Sequence, residues 1–310
     1  MPETNTDIPA VQIQLGQYPP ATHVVVHLSD THFLANEPLL YGTVDTDSTV
    51  RCALAQVDRS GLRPDALVIT GDVADRGEPE AYRRVRDIVE SAAANWDAPV
   101  VWVMGNHDKR GAFRTQLLGE AAPSDEPIDR VVVVNGLRII ALDTSVPGYH
   151  HGDLSAAQLD WLANELREPA PNGTLLALHH PPIPTPLPLM SVLELREQSR
   201  LAGVVRGSDI RGILGGHLHY STHGLFAGIP VSVAAATCYT MDLSAPVREL
   251  TGVDGGQSLG LVHVYPDQIV HSSVPIGEFT TATHFPAAFL DTIENLPSGE
   301  RAEKFSRHAS

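Results

Sequence analysis

Seven residues of metal-binding type close a series of short apolar runs. Asp30 and His32 follow His23–Leu28, Asp72 follows Leu67-Val68-Ile69, and Asn106 follows Pro99–Met104. His179 follows Leu175–Leu178, and His217 and His219 follow Ile210–Leu214. Carboxylates and imidazoles gathered in one place suit a divalent or trivalent cation. Asp30 and His32 are two apart, as are His217 and His219, so on extended backbone each pair points to one side. Taken singly, each pattern is ordinary: Gly71-Asp72 reads as a turn or helix cap, and a lone His-x-His is often structural. Five separate stretches repeating it at the same kind of position point to a metal site. Gly105-Asn106-His107-Asp108 is the most specific of them. It offers a neutral ligand, a proton carrier and a carboxylate able to orient the imidazole.

The elements needed to position these residues are legible nearby. The runs are short and apolar, as in parallel strands covered on both faces. In α/β folds, ligands lie outside the carboxyl ends of such strands. Helices are expected over Thr43–Ser60, Glu78–Ala94, Lys109–Leu118, Ser155–Leu166 and Ser191–Val205. The first ends at Gly61, and Ser155 with Gln158 forms a capping-box pattern. Asn135-Gly136 between Val131–Val134 and Leu137–Leu142 predicts a hairpin. Pro181-Pro182 stops the strand after His179-His180, and the segment to Pro188 is expected over the site. His150 and His151 read as loop histidines at its rim. In the C-terminal third, Ser221–Ala227, Ile229–Ala236, Gly260–Tyr265 and Gln268–Val274 read as antiparallel strands, Val247–Gln257 as a surface loop and Ala287–Asn295 as a short helix.

Composition sets the outer bounds. The chain has 310 residues, 43% of them hydrophobic, enough for a sizeable core, and a formal net charge of −16. That acidity argues against a nucleic-acid footprint, yet leaves room for a small anionic substrate once bound cations dominate the local field. Two cysteines, Cys52 and Cys238, are too few for a disulfide framework. Met1–Gln17 lacks a secretory pattern, and no apolar run approaches the ~18 residues of a membrane span. A soluble cytoplasmic protein is expected. Its parts are a flexible arm at 1–20, one catalytic domain at 21–278 and a partly helical tail at 279–310.

Asp30-x-His32, Gly71-Asp72, Gly105-Asn106-His107-Asp108, His179 and Gly216-His217-x-His219 together resemble the five-block signature of the calcineurin-like metallophosphoesterases. The resemblance spans about His23 to Val274. Leu28–His32, Leu142–Gly148, Leu178–Ile183 and Gly216–Thr222 look most like the bacterial class III cyclic nucleotide phosphodiesterases. The resemblance implies an α/β (α+β) fold, a four-layer αββα sandwich with two mixed sheets. It implies that Asp30, His32 and His219 hold one metal, that Asn106, His179 and His217 hold a second, and that Asp72 bridges them. Iron and manganese suit the mixed N/O ligands, and zinc remains open. The implied reaction is hydrolysis of 3′,5′-cyclic nucleotides by a hydroxide that the metals generate, with His107 serving the leaving oxygen, Asp108 orienting His107, and Asp75 in support. A homodimer is expected. Two alternatives stand beside this reading: a phosphodiesterase of another class (2′,3′-cyclic nucleotides, glycerophosphodiesters or nucleic-acid ends) and a non-catalytic metal-binding scaffold.

Overall fold

Strands of alternating inward and outward apolar residues build two sheets, and helices cover both outer faces. The computed structural model describes residues 14–36 and 38–307, so residues 1–13 of the expected arm lie outside the described residues. The first half of the domain runs β1 (His23–Leu28), α1 (Thr46–Ser60), β2 (Ala66–Thr70), α2 (Pro79–Trp96), β3 (Val100–Val103) and α3 (Arg110–Gln116). There follow β4 (Arg130–Val134), β5 (Leu137–Leu142), α4 (Ala156–Glu165), β6 (Thr174–Leu178), α5 (Pro188–Val192), α6 (Gln198–Val205) and β7 (Ile210–Gly215). The remainder comprises β8 (Thr222–Phe226), β9 (Ile229–Val233), β10 (Thr240–Met241), β11 (Gly252–Val253), β12 (Ser258–Val264), β13 (Ile269–Pro275), α7 (Ala287–Glu294) and α8 (Ser298–Ser306).

One sheet has the order β13-β12-β1-β2-β3, the other β4-β5-β6-β7-β9-β8, and β10 pairs with β11 alone. The central strands are parallel, β1 with β2 and β3, and β5 with β6, β7 and β9; antiparallel strands close every edge of the two sheets except the β3 edge. The period-two alternation of a strand decides which residue joins which layer. Val26, Leu28, Leu67 and Ile69 face α1–α3. Val25, Val68, Val101 and Val103 meet Ile139, Ala141, Leu175 and Leu214 between the sheets. Ile140, Leu142, Leu176 and Ile213 face α4–α6. These are the four αββα layers expected. The cap at Gly61, with φ of 73°, the Ser155–Gln158 capping box and the Asn135-Gly136 hairpin all form as expected.

Three expectations need correction. The C-terminal strands are not all antiparallel: β9 runs parallel to β7 inside the second sheet, while β12 and β13 return to the first. The helix expected over Ser191–Val205 is two, because residues 194–196 give their backbone to Gly152. Gly152 N–H donates to the Glu194 carbonyl, and Arg196 N–H donates to the Gly152 carbonyl. The first helix begins at Thr46, after an Asp45 cap, because Leu40 and Val44 exchange backbone hydrogen bonds and close a separate loop.

The chain divides into two units, His23–Gly277 and a second comprising the terminal segments. In the second unit, α7 and α8 pack on each other: Phe289 lies 5.1 Å from Phe285 and 5.5 Å from Phe305, ring to ring. The sequence reading found α7 and missed α8, whose charged composition carries no apolar stripe of its own.

Candidate metal centre

Five of the expected ligands sit on strained backbone. Asp30, His32, Asp72, His217 and His219 have φ values of 52°, 44°, 47°, 69° and 57°. L-residues rarely adopt this left-handed region, and a non-glycine residue held there costs about 1–3 kcal/mol. The strand ends converge tightly enough to impose it. A Cβ on Gly105 would lie 2.2 Å from the Asp72 amide nitrogen, and one on Gly216 would lie 1.9 Å from Ser29 Oγ. Only glycine at these two positions allows the ends of β1, β2, β3 and β7 to meet this closely.

All seven expected ligands come together. Asp30, His32, Asp72 and His219 place one ligand atom each within 4.8 Å of one another, and so do His179, His180 and His217. Asp72 Oδ2 lies 3.5 Å from His32 Nε2 on one side and 3.4 Å from His179 Nε2 on the other. Its Oδ1 accepts from the His107 backbone N–H at 2.8 Å. His219 Nε2 lies 3.4 Å from Asp30 Oδ1, and Asn106 Oδ1 lies 3.0 Å from His179 Nε2. Asp72 is thus the carboxylate placed to join the two sets.

The nitrogens facing away from this centre are anchored. His179 Nδ1 meets the Thr70 carbonyl at 2.7 Å, His219 Nδ1 the Tyr239 carbonyl at 3.2 Å, and His217 Nε2 the Leu193 carbonyl at 3.1 Å. His32 Nδ1 meets Asp75 Oδ1 at 3.0 Å. Such contacts fix ring orientation in metal sites. His32 Nε2, buried and pointing inward, has no hydrogen-bond partner. An orphaned inward nitrogen beside two carboxylates fits a metal cation.

At Asp30, Asp72, His179 and His219, charges inside the cluster outweigh burial, whereas at His32 and His217 burial prevails and lowers both. Burial opposes ionisation of Asp30, yet His219 and His179 hold it at about 2; burial also opposes ionisation of Asp72, yet His179, with His107 and His32, holds it well below its usual range. Burial lowers His179, but Asp72 and Asp30 lift it to about 9. Burial likewise opposes protonation of His219, while Cys238 and Asp30 raise it well above the ordinary value. Without metal, His179 and His219 hold protons where cations belong, so metal binding must release them.

His107 is placed differently from the ligands. Its Nδ1 donates to the Asp75 carbonyl at 2.8 Å, and its ring borders the cavity over the ligands. The expectation that Asp108 orients this ring does not hold. The Asp108 carboxylate accepts from the backbone of Val73, Ala74 and Gly105 and from the Tyr82 hydroxyl. It ties the Asp72 loop to the Asn106 loop, and Asp75 takes the orienting position. His180 is also turned outward: Nδ1 contacts Thr144 Oγ1 at 2.8 Å and Nε2 the His150 carbonyl at 3.1 Å.

Residues 23–221 match the calcineurin-like phosphoesterases. The chain belongs to that family. A cAMP/cGMP dual specificity phosphodiesterase of Mycobacterium tuberculosis is 55% identical over 274 residues, 88% of this chain and 86% of its own length. A glycerophosphodiester phosphodiesterase of Enterobacter lignolyticus is 28% identical over 220 residues, 70% and 78% of the respective chains. A crystal structure of a dimetal phosphatase from Danio rerio shares the fold, with a TM-score of 0.59 at 16% identity, covering 84% of this chain and 98% of that one.

Within this phosphoesterase site, sequence reasoning missed several positioning residues. His150 Nδ1 accepts from the Asn106 amide at 2.9 Å and so turns Asn106 Oδ1 toward His179. His151 instead packs against Tyr149, ring centroids 5.1 Å apart. Cys238 Sγ lies 3.7 Å from His219 Nδ1. Asp143 supports the site's flank, its Oδ2 accepting from Arg110 Nε at 2.9 Å and from the Ile128 amide at 3.0 Å. Apart from the His151–Tyr149 pair, each of these contacts joins residues distant in sequence, so only folding reveals it.

Proposed function

We propose that this phosphoesterase hydrolyses 3′,5′-cyclic nucleotides to 5′-monophosphates with two metal ions. Asp30, His32 and His219 would hold one, Asn106, His179 and His217 the other, and Asp72 would be shared between them. The observation that carries this reading is Asp72 Oδ2, flanked at 3.5 and 3.4 Å by one imidazole from each set. Bound there, the metal pair supplies Lewis-acid neutralisation of phosphoryl oxygens and acidification of a water molecule. Iron and manganese fit the mixed ligands best.

The chain's own residues handle the leaving group. With Nδ1–H engaged by Asp75, the mobile proton of His107 is the one at Nε2. The imidazolium form donates it to the departing 3′ oxygen, which would otherwise leave as an alkoxide. Among the described residues, neither lysine nor arginine lines the cavity over the ligands. A monoester dianion therefore meets no additional cation, and the site favours diesters, which carry one negative charge. The cyclic-nucleotide substrate class is supported by the 55% identical relative. The glycerophosphodiesterase relative makes a linear diester the second reading.

No helix among the described residues is long and apolar enough to cross a membrane. We read the enzyme as a cytoplasmic homodimer. The test of function is a turnover panel: metal-loaded protein against cyclic AMP, cyclic GMP, 2′,3′-cyclic AMP and glycerophosphodiesters. Cleavage of cyclic AMP no faster than by a His107→Ala control, with good turnover of another diester, transfers the assignment to that diester.

A further inference from the structure

A second cavity, of about 280 Å³, opens beside the one of about 250 Å³ over the ligands, and Tyr239, Met241 and Leu250 line both. The Tyr239 ring lies 4.5 Å from the His219 ring on the catalytic side. On the other side it meets Tyr41 edge-on, with centroids 5.6 Å apart and planes at 66°. Tyr41 is 72% exposed. Its φ of 54° is held by the paired backbones of Leu40 and Val44, both buried. A large aromatic ring presented to solvent from strained backbone contributes little to the core, and such strain collects at ligand-binding positions. The β11 backbone clamps the neighbouring ring: a Cβ on Gly252 would lie 2.7 Å from Tyr239 Cδ2.

The lining chemistry selects the occupant. Tyrosine and aliphatic side chains dominate, with Thr43 and Asp254 as the polar groups and neither lysine nor arginine. A phosphate finds no partner there. A flat, uncharged ring carrying N–H donors finds a stacking face and acceptor oxygens. The cavity of about 270 Å³ on the opposite flank, beside Asn106, has no aromatic lining. Its Arg110 is committed to Asp143, the Asp125 carbonyl and the Ser145 carbonyl. The two tyrosines meet edge to face rather than opening both faces on one point, so they form a stacking platform and not a cage for a quaternary ammonium.

We infer that the slot between Tyr41 and β11 holds the base of the cyclic nucleotide, with Tyr41 as the stacking platform and Tyr239 as the wall joining it to the metal centre. This rests on the cyclic-nucleotide reading above and locates its specificity.

The test compares metal-loaded wild type, Tyr41→Ala and Tyr41→Phe on three diesters. These are cyclic AMP, the methyl riboside 3′,5′-cyclic phosphate lacking a base, and glycerophosphocholine. Loss of one stacked base predicts a fall of roughly 5- to 100-fold in the ratio of kcat/KM for cyclic AMP to that for the abasic analogue in Tyr41→Ala, carried mainly by KM. Tyr41→Phe, which keeps the ring, retains the wild-type ratio. An unchanged ratio in Tyr41→Ala with cyclic AMP still cleaved overturns the assignment. So does a ratio moved by Val146→Trp on the other flank but not by Tyr41→Ala. An equal loss on glycerophosphocholine overturns it in favour of a cation site. Wild type that cleaves neither cyclic phosphate overturns the functional reading itself, an outcome distinct from the others.

Discussion

On the proposed assignment, the two halves of the metal centre share Asp72 but are built from different charges and different supports. The half formed by Asp30, His32 and His219 would have a carboxylate of its own, while the half formed by Asn106, His179 and His217 would have neutral ligands only. The supports differ at one residue. His32 rests on the Asp75 carboxylate, whereas His219, His179 and His217 all rest on backbone carbonyls, of Tyr239, Thr70 and Leu193. A carboxylate behind an imidazole makes it a more basic ligand. On the proposed assignment, the first half would hold its ion more tightly or accept a trivalent one, and the second would take a divalent ion that exchanges.

Removing the shared residue is the severest disturbance of this arrangement. Asp72→Ala is expected to lose both ions and to drop turnover to background. Elemental analysis decides it, since two metals per chain at the wild-type level would refute the bridge. The asymmetry itself is tested by pairing Asp30→Asn with Asn106→Ala. Asn106→Ala is expected to keep one ion through dialysis against a chelator, and Asp30→Asn to keep less than one. Metal content that falls equally in the two variants would remove the distinction between the halves.

The next test separates chemistry from metal binding. His107→Ala leaves all seven ligands in place, so metal content should stay at the wild-type level. Turnover of cyclic AMP should fall about 10²–10⁴-fold, the usual size of a general-acid contribution. A diester with a nitrophenolate leaving group needs less protonation and should lose less. Equal losses on good and poor leaving groups would make His107 a phosphate contact instead.

The contrast also explains what the sequence reveals. Ligands fall at strand ends because parallel strands deliver residues there, and short apolar runs ending in Asp or His are visible one by one. The layers follow from the same alternation. Supports are another matter. Nothing local to Leu193 announces that its carbonyl holds His217, and nothing near His150 announces its bond to Asn106. Asp108 shows the limit most directly: adjacency to His107 pointed to an orienting role, but successive residues diverge at a turn, and the carboxylate faces the opposite loop. The helix break at 193–197 has the same origin, since the pairing of Gly152 with residues 194–196 is set by tertiary contact, which overrides helical spacing.

That Asp108 contact predicts a loss of stability rather than of proton transfer. Asp108→Ala leaves the Val73, Ala74 and Gly105 amides without their acceptor. At about 1–3 kcal/mol for each buried unsatisfied group, the total is several kcal/mol if the loops do not rearrange. Urea denaturation measures it. The leaving-group dependence of the surviving activity should match wild type, and a dependence like that of His107→Ala would restore the orienting role.

The smallest effect comes from histidines outside the centre, and its direction marks how they differ from His179. His27 and His271 lie between the sheets without a carboxylate partner. His27 Nε2 meets Thr70 Oγ1 at 2.8 Å, and neither ring nitrogen of His271 has a hydrogen-bond partner. Burial, with His223 second, lowers His271 to about 4; burial, with His271 second, lowers His27 to about 3. Both values lie below the ~6.5 of an unfolded histidine, so the unfolded chain takes up the proton first. The stability these residues support is whole above that pH and declines as acid is added. For His271 the decline runs from about 6.5 to about 4, at up to about 1.4 kcal/mol per pH unit. Asp129, raised to about 6 chiefly by burial, acts in the opposite sense over part of that range, so the wild-type slope alone is ambiguous. The difference between wild type and His271→Phe cancels such shared groups. Measured by urea midpoints between pH 7.5 and 5, with chelator present to remove metal competition, the variant should lose about one proton's worth of slope. Parallel curves for the two proteins would mean that His271 titrates alike in the folded and unfolded chains, and that the acid sensitivity arises elsewhere.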